Sequence, residues 1–167
     1  MAHVKNNSGN NEWYTPTSIL EKARSVLGSF DIDPASNSIA QLNVKSGKYF
    51  TQEDSGLDKE WYGNVWINPP YSSVLIQSFC HKLVQEVKSG RCQSFISLTN
   101  NATETRWFRD LYSVSDAFCF LTGRVRFLDS SNNAKSTPLQ GQVLCYHGEN
   151  PELFKEVFSD LGLITRK

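Results

Sequence analysis

Apolar positions first take up helical spacing near the start of the chain, where Ile19, Leu20, Ala23, Val26 and Leu27 share one face. Thr15 reads as the N-cap of this helix, Pro16 as its first residue and Gly28 as its stop, after Leu27. Phe30-Asp31-Ile32-Asp33 follows as a short strand ending in a carboxylate, with further strands expected at 48–51 and 64–68. Helical spacing returns over 73–89 through Leu75, Ile76, Phe79, Leu83 and Val87, and 93–98 reads as a strand. Asn101 and Glu104 are spaced as a capping box for a helix running to about Tyr112. Strands are then expected at 117–121, 125–128 and 143–146. The polar stretch 129–142 between the last two is long enough to act as a lid. Asn150-Pro151 opens a last helix that ends near Gly162.

Strand and helix alternate early, and strands dominate later. That order predicts an α/β fold with an open, mostly parallel central sheet, an antiparallel C-terminal edge and helices on both faces. Ligands of such sheets bind at the carboxyl ends of the strands, which would place Asp33 and Asn68 on one rim.

Composition narrows the class. The 167 residues suit one domain with a real core: residues 1–11 are polar and turn-rich, an expected flexible tail, and 12–167 form the domain. With 39% hydrophobic residues, among them 10 Phe, 6 Tyr and 4 Trp, the chain has the make-up of a folded enzyme. Neither a bilayer-spanning run nor an apolar secretion segment is present, so a cytoplasmic location is expected. Seventeen basic residues balance 17 acidic ones, which argues against tight non-specific binding to nucleic acid and leaves room for a local basic patch. Cys80, Cys92, Cys119 and Cys145 form no C-x-x-C pair, and His3, His81 and His147 share no ligand spacing. No metal site is expected, and the cysteines read as reduced core thiols.

The most specific chemistry lies in Asn68-Pro69-Pro70-Tyr71, between an apolar strand and Ser72-Ser73, which can open a helix. Two prolines fix φ and remove donors, so the Asn68 side chain and the Asn and Pro carbonyls can point outward together. Such an array accepts hydrogen bonds from a planar NH2 group, and a neighbouring Tyr ring can stack on the base that carries it. Drawing on the amine protons makes the nitrogen a better nucleophile towards an activated methyl group. The tetrapeptide resembles motif IV of the S-adenosylmethionine-dependent amino-methyltransferases.

Around it, the chain resembles the phage-type DNA N-6-adenine methyltransferase family from about Glu12 to Tyr146. The matching pieces occur in the family's order. They are Trp13-Tyr14-Thr15-Pro16; Phe30 through Asn37; Tyr49-Phe50-Thr51; Asp54 with Leu57; Trp61 through Tyr71; Thr103 through Phe108; and Gly123-Arg124-Val125-Arg126-Phe127. The resemblance implies a Rossmann-like methyltransferase fold, S-adenosylmethionine as methyl donor, and the N6 amine of a flipped-out adenine in DNA as acceptor. It implies that Asn68 Oδ1 and the Pro69 carbonyl hold the amine, with Tyr71 stacked on the base. Methyl transfer would then be direct and in line, driven by positioning and polarisation. Asp33-Pro34-Ala35 looks like a shortened form of the motif that contacts the methionine moiety of the cofactor. It lacks the usual following G-x-G, and Asn37 can supply a side-chain bond in its place.

Other residues keep two readings. Asp54 suits either a cofactor contact or a solvated acidic loop. Trp13 and Tyr14 suit either a cofactor wall or a packing staple, and Thr15 can combine capping with a cofactor contact. Arg106, Arg109, Arg124, Arg126 and Lys135 are candidates for DNA phosphate contacts or for an ordinary solvated surface. A homodimer is a second source of DNA-binding surface. Asn100-Asn101 and Gln140-Gly141 depart from the family's usual residues and bear on base preference. Methylation of cytosine N4, of an RNA guanine amine or of a protein amide needs the same amine geometry, and an inactive DNA-binding module of this fold is the alternative outside enzymes. The resemblance also implies a phage or prophage setting.

Overall fold

The computed structural model describes residues 13–135 and 137–167, so the expected tail, 1–11, lies outside the described residues. The first helix, α1 (Thr17–Leu27), buries Ile19, Leu20, Ala23 and Leu27 and ends at Gly28. At φ 83° that glycine returns its N–H to Arg24 O at 2.7 Å, a conformation a Cβ would penalise. The helix begins one residue later than expected. Pro16 occupies the cap position, and no side chain caps the helix, because the Thr15 hydroxyl instead accepts from Asn68 Nδ2 at 3.3 Å.

Among the described residues one sheet carries seven strands: β1 (Ile32–Asp33), β2 (Lys48–Tyr49), β3 (Gly63–Ile67), β4 (Cys92–Asn100), β5 (Ala117–Leu121), β6 (Gln142–His147) and β7 (Gly162–Arg166). Their order is β2-β1-β3-β4-β6-β5-β7. The first four run parallel; β6 reverses against β4, and β5 and β7 continue antiparallel. The antiparallel side is therefore wider than an edge.

Period-two alternation divides the core between the two faces. Trp66, Ile96, Leu98, Leu144 and Tyr146 pack with α1 and with α5 (Pro151–Phe158), while Val65, Ile67, Phe95, Val143 and Cys145 pack with α3 (Ser73–Lys88) and α4 (Arg106–Val114).

Four local expectations change. Residues 125–128 form no strand; Leu128 alone makes isolated bridges to Tyr14 and Ala134. Val125 and Phe127 are buried there, so alternation marked burial on one side without a ladder. Thr105, not Asn101, caps α4 by accepting from Phe108 N at 3.3 Å, because residues 101–105 first close tight turns. The last helix stops at Phe158 and the chain turns into β7, where a Cβ on Gly162 would lie 2.2 Å from Phe120 O. A short helix, α2 (Gln41–Val44), and a single 3-10 turn at Gly56–Asp58 had no periodic signal.

That turn is fixed by close approach. The fully buried Trp61 donates Nε1–H to Gly56 O at 2.8 Å, and a Cβ on Gly56 would stand 2.0 Å from Pro34 O. Gly56→Ala should therefore force two loops apart and destabilise the fold by about 1–3 kcal/mol in denaturant titration. An unchanged midpoint would show that the backbones separate without strain.

Candidate active site

β1, β3 and β4 are parallel and end at Asp33, Ile67 and Asn100, so the residues at and just beyond their ends share one rim. β6 enters antiparallel, which brings its first residue, Gln142, to the same rim opposite Asn100. A cavity of about 600 Å³ opens there, a size suited to a small-molecule ligand. Asn68, Pro69, Pro70 and Tyr71 after β3 and Asp33, Pro34, Ala35 and Asn37 at the end of β1 line it, together with Trp13, Tyr14 and Thr15. Residues separated by more than fifty positions in sequence meet in one concavity.

Asn68 is held in one orientation. Its Nδ2 donates to Trp13 O at 2.7 Å and to Thr15 Oγ1 at 3.3 Å, so both amide hydrogens are engaged and Oδ1 is the atom left to accept. Tyr71 donates its hydroxyl to Asn68 Oδ1 at 2.9 Å and lies close to two further oxygens, Gln142 Oε1 at 3.0 Å and Leu98 O at 3.3 Å. Its half-buried ring meets Phe127 edge-on at 6.4 Å.

The segment that grips Asn68 is itself anchored. Tyr14 and Leu128 exchange backbone bonds of 3.2 and 2.8 Å, and Trp13 packs edge-on to Phe127 at 5.6 Å. Thr15 thus serves Asn68 rather than the helix cap.

Just beyond β1, Asn37 Oδ1 accepts from Ile39 N and Ala40 N at 3.0 and 2.9 Å, and its Nδ2 donates to the Tyr14 hydroxyl at 3.1 Å. Asp33 is buried; it accepts from Ala35 N at 3.3 Å and from Gln41 Nε2 at 3.1 Å. Gln41 also donates to Ser36 Oγ at 2.9 Å and accepts from Ser46 N and Oγ. Burial pushes the Asp33 carboxyl up from 3.8 to about 7, with the Ser36 and Ala35 bonds only partly opposing that shift. A buried carboxyl supplied with neutral donors favours a cationic ligand group beside it.

The remaining candidates lie elsewhere. Asp54 is exposed, accepts from Thr51 Oγ1 at 3.2 Å and does not line the cavity, whereas Gln52, Glu53 and Ser55 around it do. Arg106 and Arg109 are exposed on α4; Arg124 and Arg126 are exposed on the irregular segment after β5 rather than on a strand. The Lys135 ammonium sits over the Trp13 ring, 4.2 Å from its centre. Burial pushes the Cys92, Cys119 and Cys145 thiols up to about 12 and raises Cys80 as well, so none is poised as a thiolate. Among the described residues no His, Cys, Asp or Glu group could hold a metal, and no helix is long and apolar enough to cross a membrane.

Ser36, Gln41 and Gln142 escaped sequence reasoning. The first two reach Asp33 through a turn and a helix of four residues with no periodic signature, and Gln142 looks like the polar end of a loop.

The sequence profile of the DNA N-6-adenine-methyltransferase (Dam) family matches residues 2–153. A protein of Escherichia phage T1 named DNA N-6-adenine-methyltransferase is 29% identical over 101 residues, 59% of this chain. The match spans 39% of that protein's length.

Asp33 makes the site testable without any ligand. Its folded-state value lies above that of an exposed carboxyl, so the stability contribution of the group is complete below about pH 4 and is lost as pH rises through about 7. Asp33→Asn removes this loss. Relative to the parent, the variant should gain stability between pH 4 and pH 8, by on the order of 4 kcal/mol at most. A stability difference that stays constant over that range in denaturant titrations would mean that Asp33 does not titrate upward.

Proposed function

Because the chain belongs to the DNA N-6-adenine-methyltransferase (Dam) family, we propose that it methylates the N6 amine of adenine in DNA, using S-adenosylmethionine. The Asn68 geometry carries this reading, since an acceptor oxygen whose amide hydrogens are already engaged is suited to an incoming amine.

The residues present fit the cofactor. Its ammonium group would find a counter-charge in the buried Asp33 carboxyl, beside the Asn37 turn, with Trp13, Tyr14 and Thr15 as walls. When bound, S-adenosylmethionine supplies a methyl group activated by attachment to a positively charged sulfur. Asp54, exposed at the edge of the loop that lines the cavity, would take part only through movement of that loop. The sheet, its rim site and the helices packed on both faces support a Rossmann-like methyltransferase fold.

The target adenine must leave the duplex, since its amine is otherwise paired. Asn68 Oδ1 and the Pro69 carbonyl then accept the two amine hydrogens, and the prolines hold these acceptors without competing donors. The Tyr71 ring offers the base an aromatic surface. Methyl transfer to the amine nitrogen would be direct and in line, the methyl–sulfur bond breaking as the N–C bond forms and the surplus amine proton passing to solvent; no covalent enzyme intermediate would be required, consistent with four buried thiols. Lys135 beside the cavity wall, Arg124 and Arg126 on the following segment, and Arg106 and Arg109 on α4 would contact DNA phosphates. The side chains of the four arginines form no ion pair or hydrogen bond among the described residues. Such an enzyme would act in the cytoplasm of a bacterial host, on phage or host DNA.

Labelled S-adenosylmethionine and unmethylated DNA, followed by nucleoside mass spectrometry, test the reading. The parent should form N6-methyladenine, and Asn68→Ala should lower kcat by at least about 100-fold while still binding the cofactor. Methyl-cytosine as product, or a fully active Asn68→Ala, would overturn it. The DNA surface is tested separately: Arg124→Ala with Arg126→Ala should weaken DNA binding across all sequences and reduce the salt slope by about 2. An unchanged slope would remove both from the interface.

A further inference from the structure

The Tyr71 hydroxyl has one hydrogen and three oxygens within reach. Asn68 Oδ1 is 2.9 Å away, Gln142 Oε1 3.0 Å and Leu98 O 3.3 Å. It can serve only one of the two side-chain oxygens fully at a time. Neither oxygen can turn away. Asn68 is pinned through Trp13 O and Thr15 Oγ1, and Gln142 donates Nε2–H to Asn100 Oδ1 at 2.7 Å. Gln142 is fully buried, and Tyr71 is the one donor to its Oε1 among the described residues.

We infer that Gln142 is a positioning residue: it provides an alternative acceptor for the Tyr71 hydroxyl, so that Asn68 Oδ1 is released to the incoming amine. The inference rests on the proposed amine methylation. Asn68 lines the cavity whereas Gln142 is fully buried, so a hydroxyl turned to Asn68 leaves the buried Gln142 Oε1 short of its donor. A ligand with an N–H at Asn68 removes that deficit. Tyr71 then donates to Gln142, the amine donates to Asn68, and both oxygens are satisfied. A base presenting a carbonyl at the same place, as thymine or guanine does, brings no donor and meets an unrelieved acceptor. The same three side chains thereby favour an amine-bearing base over a carbonyl-bearing one. Burial keeps the Tyr71 hydroxyl protonated by raising its pKa, so the device depends on hydrogen-bond exchange and not on ionisation.

Without Gln142, the hydroxyl should remain on Asn68 and compete with substrate. The test compares the parent, Gln142→Met, Tyr71→Phe and the double variant in N6-methyladenine formation on unmethylated DNA. Gln142→Met should lower kcat about tenfold and change KM for DNA less than about threefold. Tyr71→Phe in that background should restore kcat to the level of Tyr71→Phe alone, because no hydroxyl then occupies Asn68. Thermal and denaturant unfolding of the four proteins without DNA should also be non-additive, by about tenfold in the unfolding constant. Should Gln142→Met fail to fold, Asn100→Ala removes the group that aims Gln142, and its smaller kcat loss should likewise be relieved by Tyr71→Phe. An active parent with a loss that Tyr71→Phe does not relieve, or with additive unfolding, overturns the inference alone. A parent that methylates no adenine overturns the functional reading, and the inference with it.

Discussion

The site depends on the engagement of the Asn68 amide by a segment that precedes the first helix. Trp13 O and Thr15 Oγ1 take both Nδ2 hydrogens, and this alone decides which atom of Asn68 is available in the cavity. Trp13 and Thr15 can do so because Tyr14 is bridged to Leu128 and Trp13 packs on Phe127. The segment after β5 therefore serves the site although it carries no regular strand. Its buried Val125 and Phe127 hold a scaffold from which Leu128 reaches Tyr14. The rigid Asn-Pro-Pro turn sets the backbone, and distant residues set the side chain.

The residues after β1 and those after β3 differ in electrostatic character. At the end of β1, Asp33 is a carboxyl in a desolvated place, with neutral partners and a proton affinity raised to about 7. After β3, Asn68 and Tyr71 with the buried Gln142 form a neutral array with one hydroxyl hydrogen between two side-chain oxygens. Under the proposed function, the first would take a cation and the second an N–H donor. The reversal of strand direction between β4 and β6 makes the second array possible, since it sets Gln142 beside the carboxyl-terminal end of a parallel strand.

Much of the framework was legible in advance. The α1 and α3 periodicities, the strand ending in Asp33 and the strand leading into Asn68 come from local sequence, because burial of one helical face or one strand leaves a periodic mark. The misreadings share a cause. Residues 125–128 alternate as a strand does, yet find no ladder. The last helix was expected to reach about Gly162, but it stops at Phe158, and Gly162 admits the chain beside Phe120 as the start of β7. Whether a segment pairs depends on what lies next to it, and no local pattern records that.

By itself the sequence determined the chemistry on offer: an Asn-Pro-Pro-Tyr turn after an apolar strand, a carboxylate at the end of another, and cysteines without a shared motif. These follow from residue identity and short-range spacing, which survive in any fold that keeps the elements. Only the tertiary structure decided which atom of Asn68 is left to accept, that Thr15 bonds it instead of capping a helix, that Gln41 donates to Asp33, and that Gln142 meets Tyr71. The bond between Gln142 and Tyr71 joins residues 71 positions apart across a strand reversal. Contacts of that range are set by the packing of the whole sheet, and nothing near either residue in the chain encodes them.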